Sequence, residues 1–96
     1  MNQMEVCKYL ARELGEVLKD DGTKFHARIG NCYCVILADK WTTRRMRGRR
    51  VTTGVSAIEF LRDTHQKSGI GLTAIEAAII VSKTTKAIQA ASGSVS

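Results

Sequence analysis

The chain has 96 residues, 44% of them hydrophobic and 25% charged, which suits one globular domain (1–96) with one modest core and excludes intrinsic disorder. No stretch approaches the ~18 consecutive apolar residues of a membrane span. The opening Met1-Asn2-Gln3-Met4-Glu5 lacks the basic-then-apolar layout of a signal peptide, so a cytoplasmic protein with no membrane partner is expected. Fifteen Lys and Arg oppose nine Asp and Glu, a formal charge of +6.

That charge is unevenly placed. Residues 40–50 hold Lys40, Arg44, Arg45, Arg47, Arg49 and Arg50 and no acid, which leaves nine bases and nine acids in the other 85 residues. A neutral body with one cationic element sets up a directed field, which a generally basic surface does not.

Taken in chain order, residues 3–19 read as an amphipathic helix, with Met4, Cys7, Ala11, Leu14 and Leu18 recurring at three- and four-residue steps. Asp20-Asp21-Gly22 should end it, Gly22 offering a left-handed exit. Residues 24–29 alternate: Phe25, Ala27 and Ile29 point one way, Lys24, His26 and Arg28 the other. Gly30-Asn31 is a two-residue hairpin turn of the kind that needs positive φ. Residues 32–38 are apolar on both faces, as in a central strand, and Asp39-Lys40 begins the next turn.

Residues 41–46 form a third strand, and Arg47-Gly48 a tight turn into residues 49–53, rich in β-branched side chains. The arginines then sit at the tip of a β-ribbon, whose six-residue arm would reach about 20 Å. The competing reading makes 40–54 an irregular basic loop.

Ser56-Ala57-Ile58-Glu59 and Thr73-Ala74-Ile75-Glu76 are capping-box tetrapeptides, predicting helices over 57–67 and 74–91. Ile58, Leu61 and His65 are the expected inward residues of the first, and Ser68-Gly69-Ile70-Gly71 breaks it. The last helix resembles a helix-turn-helix only in outline. No glycine sits at the turn position just before Val81, so one continuous helix is expected, with residues 92–96 fraying. The fold class is therefore α+β: an N-terminal helix, a small antiparallel meander, and two C-terminal helices packed on the sheet. A core of this size also leaves room for a homodimer.

For function, the arginine segment is the sharpest signal. Residues 44–50 use five Arg and no Lys. The guanidinium is a planar fork of donors that matches phosphate oxygens and guanine edges in pairs. Candidate nucleic-acid-binding residues are Lys40, Trp41, Arg44, Arg45, Arg47, Arg49 and Arg50. The indole of Trp41 either stacks on a base or packs in the core.

Cys7, Cys32, Cys34, His26 and His65 invite a zinc reading, but the hairpin register opposes it. Cys32 and Cys34 share a face with Ala27 while His26 points away, and Cys-x-Cys is not the usual ligand spacing. The odd cysteine count fits reduced, buried thiols. No metal or other cofactor is expected, and no nucleophile, acid–base pair or phosphate loop supports catalysis. The expected function is non-catalytic binding of DNA or RNA as a regulatory or accessory protein. The alternative is a small phage-type inhibitor or adaptor that engages an acidic protein surface or the nucleic-acid channel of a partner complex.

Overall fold

The computed structural model describes residues 2–93. The chain runs α1 (Gln3–Leu14), β1 (Glu16–Asp20), β2 (Phe25–Ile29), β3 (Cys32–Ile36), β4 (Trp41–Arg45), β5 (Thr52–Gly54), α2 (Ala57–Lys67) and α3 (Ala74–Gly93). The expected α+β arrangement is observed: a helix, an antiparallel sheet in the order β1-β2-β3-β4-β5, and two helices.

The first helix is shorter than its periodicity predicts. Asn2 caps it by accepting from the Met4 amide at 2.8 Å, and Met4, Val6, Cys7, Leu10 and Ala11 are buried. It stops at Leu14 because Gly15 turns the chain into an extended conformation (φ −142°, ψ −154°). At that point the backbone runs against β2, where a Cβ on Gly15 would stand 2.2 Å from the Arg28 carbonyl oxygen. Residues 16–20, all but Asp20 expected to be helical, instead form an edge strand, pairing Glu16 with Arg28 and Asp20 with Phe25 across a bulge. Leu14 and Leu18, read as a core stripe, are 46% and 47% exposed. Gly22 has a positive φ of 88° but serves the β1–β2 turn. There the Asp21 carboxylate accepts from the Lys24 amide at 2.8 Å and from the Thr23 hydroxyl and amide. Those bonds, the Lys24 amide foremost, hold Asp21 well below the usual carboxylate range.

The β2–β3 hairpin has the expected register: Ile29 faces Cys32, Ala27 faces Cys34 and His26 faces Val35. Gly30 alone takes the positive φ, at 58°. β3 is the middle strand, as its apolar run predicts, but it ends at Ile36 and the turn occupies 37–40. One sheet face carries Phe25, Ala27, Cys34, Ile36 and Trp41 into the core against α1 and α2.

α2 buries Ala57, Phe60, Leu61 and Thr64, while His65 is half-buried with Nδ1 2.8 Å from the Leu61 carbonyl. It closes in a Schellman motif: the Ile70 amide donates to the His65 carbonyl and the Gly69 amide to that of Gln66, with Gly69 at φ 83°.

α3 begins at a complete capping box. The Glu76 amide donates to Thr73 Oγ1 and the Thr73 amide to Glu76 Oε1, each at 3.1 Å. It departs from expectation in packing on α1 and α2 through Ala77 and Val81 more than on the sheet. It is continuous past Val81 and reaches Gly93, two residues into the expected tail; residues 94–96 lie outside the described residues. No described helix is long and apolar enough to cross a membrane.

Candidate nucleic-acid interface

The arginine segment leaves the sheet at one corner. β4 pairs with β3 over its whole length, from Trp41 opposite Ile36 to Arg45 opposite Cys32. β5 pairs with β4 only from Thr43–Thr52 to Trp41–Gly54. The expected ribbon is therefore built into the sheet as its last two strands, with β5 at the edge, and is not a free arm, so its reach of about 20 Å is not available. Only residues 46–51 project, as a loop. Its turn spans 45–48, closed by the Gly48 amide on the Arg45 carbonyl at 2.9 Å, one residue earlier than predicted. The observed register of β4 and β5, continued past Thr43 and Thr52, would set Arg45 opposite Arg50, as a two-residue turn at Arg47-Gly48 would. Like charges directly opposite destabilise a ladder, and β pairing resumes only at the uncharged Thr52 and Thr53.

The base of the loop is held by neighbouring elements. The Met46 amide donates to the Asn31 carbonyl at 3.0 Å. Ser68, capping α2, accepts from the Asn31 amide at 3.3 Å and donates to the Ile29 carbonyl at 3.2 Å. The β2–β3 turn, the exit of β4 and the end of α2 thus form one connected frame.

The seven candidate residues divide into three groups. Arg44 faces Tyr33 on the uncovered side of the sheet, its guanidinium 4.7 Å from the ring centroid. Its Nη1 donates to the carbonyls of Arg45 and Met46 at 3.3 and 3.1 Å, so Arg44 is used in shaping the loop. Arg45, Arg47, Arg49 and Arg50 are exposed, and their side chains make no hydrogen bond or ion pair among the described residues. Lys40 and Trp41 stand apart. Lys40 lies at the other end of β4, about 13 Å along the strand from Arg44. Trp41 is 1% exposed, packs edge-on against Phe60 and donates Nε1–H to the Ser56 carbonyl at 3.0 Å. Of its two sequence readings, core packing is the one observed.

Four residues missing from the sequence reading complete the surroundings. Beneath the loop lies a cleft of about 320 Å³ whose walls include Thr52, Asp63, Gln66 and Lys67. Lys67 Nζ lies 2.7 Å from Asp63 Oδ1 and 2.8 Å from Thr52 Oγ1, and Thr43 Oγ1 donates to the other Asp63 oxygen. The side chains of Lys67 and Asp63 are only 11% and 15% exposed. Their i,i+4 spacing was legible as a helix pair. That the pair sits under the arginines was not.

The thiols are inert in this setting. Burial pushes Cys7 and Cys34 up to about 12 and Cys32 to about 11, from 9.0. All three are buried and free. Among the described residues, no three His, Cys, Asp or Glu side chains gather as a metal site. The chain matches no protein-family model, no curated protein and no solved structure.

Proposed function

We propose that this protein binds nucleic acid without catalysis, through the loop between β4 and β5. One observation carries the reading: Arg45, Arg47, Arg49 and Arg50 are exposed and unpaired among the described residues, within a segment that holds no acid. A guanidinium has five donors and no acceptor, so each of these solvent-facing groups can exchange water for the acceptor oxygens of a ligand. The rest of the chain is balanced in charge, which concentrates the attraction at this corner.

A loop anchored at a sheet corner reaches less deeply than a free ribbon. Contacts to backbone phosphates therefore dominate over reading of base edges. Four arginines that each displace a counterion give a log–log salt slope of about −3.5 on duplex DNA. Lys40 and Arg44 are not counted, because one is remote and the other is already engaged.

Fluorescence-anisotropy titration of duplex and single-stranded DNA and RNA probes at several salt concentrations tests this. Binding that weakens roughly a hundredfold for a fourfold rise in salt is the expected result. An absence of binding to every probe at low salt would overturn the reading, and the arginines would then suit the acidic protein surface of the alternative.

A further inference from the structure

The cleft under the loop joins groups that are distant in the chain: Arg45 from the end of β4, Arg49 and Arg50 from the loop, Thr52 from β5, Gln66 and Lys67 from α2. At about 320 Å³ it is the size of a small-ligand site, yet no apolar side chain lines it. Asp63 is the one acid in the lining, and both its oxygens are engaged, one by Lys67 and one by the Thr43 hydroxyl. Its charge is thereby offset by Lys67, and three guanidinium groups remain at the cleft without a counter-charge.

We infer that this cleft seats one phosphate of a nucleic-acid backbone, bound by Arg45, Arg49 and Arg50 over a floor set by Lys67. The inference rests on the nucleic-acid reading for the identity of the phosphate carrier. The chemistry of the lining selects phosphate over carboxylate. Three forked donors from separate backbone positions suit the larger set of acceptor oxygens on a phosphate better than the two oxygens of a carboxylate. Lys67 acts by position: its ammonium keeps the Asp63 carboxylate from repelling the anion and ties α2 to Thr52 at the end of the loop.

The probe is inorganic pyrophosphate, titrated at about 0.1 M salt, where the Debye length is about 10 Å, into the ¹⁵N-labelled full chain and followed by amide chemical shifts. The largest shifts are expected in residues 48–52 and 63–68. Arg49→Ala with Arg50→Ala should weaken pyrophosphate binding about tenfold or more, by loss of charge-assisted hydrogen bonds. Lys40→Ala removes charge at the far end of β4 and should change it less than about twofold, because charges beyond a Debye length are screened. Shifts spread evenly over the basic surface, or equal weakening by Lys40→Ala, would overturn the inference. The arginines are exposed, so their replacement leaves a folded chain to measure. Duplex binding measured in parallel separates the two claims. Duplex that binds while pyrophosphate leaves the cleft unshifted refutes the phosphate seat alone. Pyrophosphate localised in the cleft without binding of any nucleic acid refutes the carrier.

Discussion

Strand alternation sends Arg44 to the uncovered face of the sheet beside Tyr33, and Arg45 to the face that carries the helices beside Cys32. Two adjacent and identical residues therefore have different roles. Arg44→Ala removes the ring contact and the bonds to two loop carbonyls, so it should lower affinity by loosening the loop while leaving the salt slope unchanged. Arg49→Ala should flatten the slope by about 0.9, one counterion's share on duplex DNA. Equal slopes for both variants would erase the distinction. The thiols give a second residue-scale prediction. Their folded pKa values lie above 9.0, so the unfolded chain ionises first as pH rises. The stability they contribute is whole below about pH 9 and is lost as pH climbs toward 11–12. Urea midpoints that fall between about pH 8 and about pH 10.5 check this, with native thiols silent to a disulfide reagent at neutral pH.

Among the elements, the helix starts were legible and one helix end was not. Thr73 exchanges two hydrogen bonds with Glu76, whereas Ser56 supplies only the hydroxyl half of its box, accepting from the Glu59 amide at 3.4 Å. Thr73→Ala and Ser56→Ala should each cost roughly 0.5–2 kcal/mol, Thr73 the more, as read by equilibrium urea melts. Gly15 is where the helical periodicity misled. A three- and four-residue spacing of Leu14 and Leu18 predicts a buried face only if the backbone continues, and the tight approach of Gly15 to Arg28 diverts it into β1. Gly15→Ala should therefore destabilise by roughly 1–3 kcal/mol through overpacking, despite alanine's higher helix propensity. A stabilised variant in the same melts would show that the helix can extend after all.

For the molecule as a whole, the cationic loop should be separable from the fold. Replacing Arg45, Arg47 and Arg49 together with Ala should shift stability by less than about 0.5 kcal/mol per site, since none of their side chains is buried or paired among the described residues. Thermal and urea melts of the triple variant, beside its loss of nucleic-acid affinity, measure both halves of that claim. A large drop in melting temperature would make the arginines structural. The Lys67–Asp63 pair is the contrasting case. At 11% and 15% exposure, Lys67→Met leaves a carboxylate largely buried without its cation, a loss of about 3 kcal/mol.

Local chemistry alone determined much of this protein. Period-two alternation and Gly30-Asn31 set the β2–β3 register, hydroxyl–Glu spacing set the starts of α2 and α3, and composition isolated the arginines in one segment. These features act between residues a few positions apart, so the sequence carries them in full. What required the folded chain were matters of long-range contact. The approach of Gly15 to β2, the burial of Trp41 against Phe60, the separation of Lys40 from the arginines and the seating of Lys67 beneath the loop join segments from different elements. No periodicity encodes them, because they depend on which sheet face the helices cover and at which corner the strands end.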